Sequence, residues 1–238
     1  MAFAAHVVLA GLWGGLLSLE RGAFLQAMVS RPLVAAAGTG LLLGDVSSGI
    51  FVGLVFELFY LNGVSLGGAR PEHETLPAVA AAAVSAALAN ASGADGTPAL
   101  WTLGILLCAP LGRLGAWLER ALDQRAGRYQ TRARNSAEAG QLRRAARQNL
   151  RAMWPHFVLF GLISAAGVVV GTLLEPLESR LPLGVLRGLA WAYPALASVA
   201  AAVAVLGSQA RRAVRLATGG ALAVIGAATA LALAGRLP

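Results

Sequence analysis

The chain has 238 residues, of which 57% are hydrophobic and 13% charged, with a mean hydropathy of +0.68. A soluble domain of this length carries roughly 25% charged residues, so the composition excludes one and points to an all-α, polytopic membrane helical bundle. The net charge of +8 comes wholly from arginine, but the arginines sit between apolar runs, as membrane topology requires, which argues against a nucleic-acid partner.

The first apolar run, Phe3 to Leu19, lacks a basic start and a small-residue cleavage site, so it is expected to remain as a membrane helix. Gly11 and Gly15 lie four apart in it, a spacing that lets another helix approach closely. Arg21 to Ser30 is shorter and mixed, and reads as an amphipathic interfacial segment that stops at Arg31-Pro32. Leu33 to Leu43 is too short to span. Gly44-Asp45 interrupts the run, and Ile50 to Leu61 resumes it. Two short limbs around a polar turn predict a re-entrant hairpin, with two full helices as the alternative.

In the second limb Gly49, Gly53 and Glu57 share one helix face, so Glu57 is expected to point into packed protein. Asp45 is twelve residues earlier, about 18 Å along a straight helix, so the two carboxylates form no dyad unless the chain bends. Carboxylates inside apolar runs face a cavity or a partner by default.

Leu76 to Ala91 is the next apolar helix. After a polar turn comes Ala99 to Leu118, with a kink expected at Pro110. The arginine-rich connection Glu119 to Arg151 follows; Arg143, Arg147 and Arg151 beside Leu142, Ala146 and Leu150 suggest an interfacial amphipathic helix. Met153 to Leu174 spans again, with Gly167 and Gly171 as a second small-residue pair. Leu183 to Leu206, with Pro194 inside, and Val214 to Ala234 complete about seven apolar segments in a single domain covering 1–238. Placing residues 119–151 in the cytoplasm puts Asp95 and Glu175 outside, and Arg70 and Arg211 inside. Cys108, between Leu107 and Ala109 in a span, lacks the exposed cationic setting of a reactive thiol. No metal-ligand spacing, phosphate-binding loop or nucleophile elbow appears, so no catalytic residue, metal or cofactor is expected. His6 and His156 lack companion ligands and read as structural.

The motifs SRPLV (Ser30 to Val34), LLLGD (Leu41 to Asp45), Gly49, the Glu57 helix and GVSLGGARPEHETLPAV (Gly63 to Val79) resemble the membrane IIC subunit of the mannose/fructose/sorbose family of bacterial sugar phosphotransferase systems. The likeness covers about a quarter of the chain; beyond Leu118 it is one of hydropathy and length. Glu72-His73 departs from the family pattern. The resemblance implies a multi-pass permease subunit of the bacterial inner membrane that binds and moves a hexose-type sugar with a IID membrane partner, as a trimer of IIC–IID pairs. Soluble IIA and IIB proteins would carry the phosphoryl group, so the subunit itself is no enzyme.

On that basis Asp45 is either a sugar-hydroxyl acceptor or a helix cap. Glu57 is either a sugar ligand or a buried partner for Arg21, Arg31 or Arg70. Gly67, Gly68 and Glu74 belong either to a loop at the sugar's exit or to a solvated turn with Glu74 as cap. Asn62 and Gln26 suit sugar hydroxyls or interhelical hydrogen bonds. The arginine-rich connection would set topology and meet acidic proteins or membrane lipids. The rival functions are an independent secondary transporter or channel, and a non-transporting sensory or structural relative.

Overall fold

The computed structural model describes residues 2–22, 24–63, 72–93 and 96–207; the expected last span and the Gly67-Gly68 loop lie outside them. The described residues form eight helices: α1 Ala2–Gly22, α2 Pro32–Leu43, α3 Val46–Tyr60, α4 Thr75–Ser92, α5 Pro98–Cys108, α6 Leu111–Glu138, α7 Leu142–Glu178 and α8 Leu183–Gly207. Five stretches are long and apolar enough to cross a membrane: α1, α4, α5 with α6, α7 and α8. Large apolar side chains such as Leu12, Leu16, Leu162 and Leu173 stand exposed on their outer faces, which suits a hydrocarbon solvent and not water.

α4 is the axis of the bundle. Its sequence TLPAVAAAAVSAALANAS is buried from Thr75 to Ala89, and its small side chains let neighbours come to backbone distance. On α7, a Cβ at Gly167 would lie 3.0 Å from the Ala80 carbonyl, and one at Gly171 would lie 2.9 Å from the Ala87 methyl. Gly11 and Gly15 of α1 meet α7 in the same way, the latter against Phe157. Both glycine pairs therefore mark helix crossings, as their spacing suggested. Pro110 separates α5 from α6, while α8 continues as one helix through Pro194.

α2 and α3 form a helical hairpin of 12 and 15 residues, about 18 and 22 Å long, each shorter than the ~30 Å hydrocarbon core. Arg31 is extended before Pro32, which starts α2. Gly44 takes a left-handed φ of +82° and ends α2, with Asp45 N–H donating to the Gly40 carbonyl at 2.9 Å. The legs touch along glycine: a Cβ at Gly49 would lie 2.9 Å from Ala37 Cα, and one at Gly53 3.0 Å from Leu33 Cα.

Two segments differ from the pattern reading. Residues 24–31 are irregular and not an amphipathic helix, with left-handed φ at Leu25, Gln26 and Met28. The Glu20 carboxylate accepts from Val29 N–H at 3.2 Å and Ser30 N–H at 2.8 Å, taking up amides that a helix would have bonded internally. The arginine-rich connection is not a separate interfacial helix: α6 and α7 run through it as an antiparallel pair turning at Gly140, φ +71°. Its alanine, arginine and glutamine content favours helix throughout.

Candidate functional site

At one end of the bundle α1 and α3 finish, α2 and α4 begin, and α6 passes by. Each of these four ends carries a charged or polar residue, and the passing α6 adds Glu119. Around them lies a cavity of about 430 Å³ lined by Glu20, Arg21, Gln26, Ser30, Arg31, Gly63, Glu74 and Glu119, among others.

The charges form a continuous chain. Arg21 bridges Glu74 at 3.3 Å and Glu119 at 3.6 Å, and Arg31 bridges Glu74 at 3.8 Å and Glu57. Arg31 Nε donates to Glu57 Oε1 at 2.9 Å, and the other carboxylate oxygen accepts from Leu33 N–H at 3.2 Å. Glu57 thus closes the open end of the hairpin and satisfies a free amide at the start of α2. Its face is the one the Gly49-Gly53 stripe indicated, and Arg31 was among its three candidate partners. Burial raises the Glu74 carboxyl above its usual value; Arg21 and Arg31 pull it down and Glu57 pushes it up, leaving a net rise.

His73 supplies the cap expected of Glu74. Glu74 makes no side-chain cap bond to α4, whereas Leu76 N–H donates to His73 Nδ1 at 3.1 Å. That bond assigns the ring proton to Nε2. The ring stacks on Phe160 at 4.6 Å. Burial holds the imidazole well below its usual pKa, with Arg21 and His156 acting in the same direction. Glu72, the other departure from the motif, accepts from Arg113 Nε at 2.9 Å and from the Tyr60 hydroxyl at 3.3 Å.

Of the residues singled out in the sequence, Gln26 and Glu74 line the cavity, and Glu57 reaches it through Arg31. Asn62 instead donates to the Ala204 carbonyl at 2.7 Å, tying the end of α3 to α8. Gly67 and Gly68 lie outside the described residues. Asp45 is at the opposite tip of the hairpin, because α3 is unbroken from Val46 to Tyr60. There it accepts from Ser48 N–H at 3.0 Å and from the hydroxyls of Ser47 and Ser48. Trp101 Nε1 donates to Ser48 at 3.0 Å, so the tip is anchored to α5.

Glu20, Arg21, Ser30, Arg31 and Glu119 were not among the site residues read from sequence. The usable signal was positional: each lies at the end of an apolar run, and the orientation rule puts those ends on one side.

A cavity built from helix ends and a short-helix hairpin, within a ring of membrane-length helices, is the layout of a membrane transporter. The family model described as "PTS system sorbose-specific iic component" matches residues 4–206, and the chain belongs to that family: it is a membrane IIC-type component of sugar phosphotransferase transport. Among solved structures, one titled "Structure of membrane protein" is similar with a TM-score of 0.65 at 20% identity, covering 100% of this chain and 96% of the other. Another, titled "CryoEM Structure of Mannose Transporter ManYZ and Microcin E492 (MceA) complex", has a TM-score of 0.56 at 21% identity, covering 99% and 96%. At these identities the likeness is one of fold. No curated protein matches the chain.

Proposed function

We propose that the chain is the permease subunit of a bacterial inner-membrane sugar phosphotransferase system and binds a hexose-type sugar in the charged cavity. The observation that carries this is the cavity itself, about 430 Å³ at the open end of the α2–α3 hairpin. It combines carboxylate acceptors, guanidinium donors and the Gln26 amide, the mixed donor–acceptor lining that a polyol requires. The hairpin is read as re-entrant, since neither leg spans a bilayer and the glycine contact lets it move as one body. Arginine placement supports reading the cavity and the α6–α7 extension as cytoplasmic. Translocation would then be an alternating movement of the hairpin, completed by a IID-type partner in a trimer of pairs, with the phosphoryl group delivered by soluble IIA and IIB proteins.

The test is sugar binding by the purified chain, with and without a IID partner, comparing wild type with Gln26→Ala and Glu74→Gln. Loss of one charged hydrogen bond predicts weakening by roughly tenfold or more for Glu74→Gln. Unchanged affinity in both variants would remove the cavity as the sugar site. A second reading is favoured by the raised carboxyl of Glu74: an independent proton-coupled carrier. It predicts partner-free uptake that collapses with the proton gradient and is lost in Glu74→Gln.

A further inference from the structure

Glu72 and His73, the two residues that depart from the family motif, are seated on the first turns of α6. The His73 N–H donates to the Gly112 carbonyl at 3.0 Å, and the ring is 3% exposed and stacked on Phe160 of α7. α6 makes room with glycine: a Cβ at Gly115 would lie 2.8 Å from His73 Cβ and 3.0 Å from the Leu76 side chain. Beside it, Glu72 accepts from Arg113 of α6 and from Tyr60, the last residue of α3. Glu119 lies one helical turn beyond Gly115, on the same face of α6 and about 6 Å along it. That one face therefore carries both the seat of His73 and the carboxylate that pairs with Arg21 at 3.6 Å.

We propose that His73 is a positioning residue of the sugar site, one that sets the Glu74 carboxylate between Arg21 and Arg31, a role that rests on the permease reading. Glu74 already has helical backbone angles, φ −67° and ψ −38°, so fixing His73 fixes the direction in which the next side chain leaves the backbone. His73 Nδ1 also answers the Leu76 amide, an orphan donor of the first turn of α4. Both Glu74 oxygens are then left for the arginines, Oε1 to Arg21 at 3.3 Å and Oε2 to Arg31 at 3.8 Å. A solvated turn would need neither the glycine notch in α6 nor the stack on α7, and it would leave residue 73 exposed. Since Arg21 is paired to α6 through Glu119, the carboxylate and its cation are both placed by the same helix.

The experiment uses the full chain with a IID partner in nanodiscs, with radiolabelled mannose and sorbose as probes and affinity normalised to folded protein. His73→Ala should weaken binding by roughly tenfold, the worth of one misplaced charged hydrogen bond. His73→Asn, whose side-chain carbonyl can cap the Leu76 amide, should recover most of that loss. Gly115→Ala, which displaces His73 without touching a polar group, should weaken binding in the same direction. In a Glu74→Gln background His73→Ala should cost nothing further, because its effect passes through that carboxylate. A residue that only stabilised the fold would lower the thermal midpoint and show neither the rescue nor the non-additivity. Unchanged affinity in both His73→Ala and Gly115→Ala, or a His73→Ala loss that adds to that of Glu74→Gln, would overturn the proposal. Wild type that binds neither sugar would sink the permease reading itself, whereas binding lost in Glu74→Gln but kept in His73→Ala would sink only the positioning role.

Discussion

The two ends of the α2–α3 hairpin each hold a carboxylate, and they are held in different ways. At the tip, Asp45 bonds to Ser47 and Ser48, two and three residues away. At the open end, Glu57 pairs with Arg31 across 26 positions, and through it joins Glu74, Arg21 and Glu119 from three other helices. The tip is a local device that a short peptide could form. The open end exists only when five segments have already packed, so it reports on, and can respond to, any movement among them.

The harshest way to break this contrast is to remove what joins the ends. Gly49→Leu would drive a side chain into the α2 backbone at Ala36 and Ala37. The legs should part, with a loss of about 3 kcal/mol, at the upper end of overpacking penalties. Thermal unfolding in detergent would show it, and an unshifted midpoint would mean that the legs do not bear on each other there.

Glu57→Gln keeps an acceptor for Leu33 N–H but drops the charge opposite Arg31, at an expected loss of about 2 kcal/mol. Because Arg31 also serves Glu74, the variant should loosen α4 as well as α2. Hydrogen exchange faster at Thr75–Val79 than at Ser47–Gly49 would register the spread. Asp45→Ala, by contrast, should lose about 1 kcal/mol, the worth of one cap, and confine its exchange increase to the first turn of α3. Equal spread from both substitutions would erase the distinction drawn here.

The smallest effect at neutral pH is the proton's. The folded pKa of His73 lies below the ordinary value of 6.5 because the ring is buried. As pH falls, the unfolded chain takes the proton first. The contribution of His73 to stability is therefore complete above about 6.5 and is lost as pH drops from there towards the folded pKa. Glu74 acts in the opposite sense, since its raised pKa favours the protonated fold, so the informative quantity is the difference between wild type and His73→Asn. That difference should shrink on acidification below pH 6.5; a constant difference would show that His73 does not titrate with unfolding.

Much of the architecture was legible in the sequence because it is written at short range. The apolar runs give the spans. The 49-53-57 stripe gave the buried face of α3, the two glycine pairs marked close helix approaches whose partners the structure supplied, and Arg31-Pro32 gave the start of α2. Residues 24–31 failed the same reading because Glu20 bonds their amides from outside the segment, at separations of nine and ten. The arginine-rich connection failed it because its charge pattern looks alike on an interfacial helix and on one arm of an antiparallel pair; the packing of α6 along α7 decides between them.

What the sequence determined by itself is a helical membrane protein with two short apolar limbs around Gly44-Asp45 and a glutamate facing protein in the second limb; that Asp45 caps α3 came from the structure. Periodicity, capping and hydropathy act over a turn or two of helix, and they are independent of what the rest of the chain does. What only the tertiary structure decided is which charges meet. Glu57 pairs with Arg31, His73 and not Glu74 capped α4, Asn62 went to α8, and Glu20, Arg21 and Glu119 entered the cavity. Ion pairs between residues 26 and 53 positions apart depend on where whole helices end in space, and that is set by the packing of small residues along α4 rather than by anything near the charges themselves.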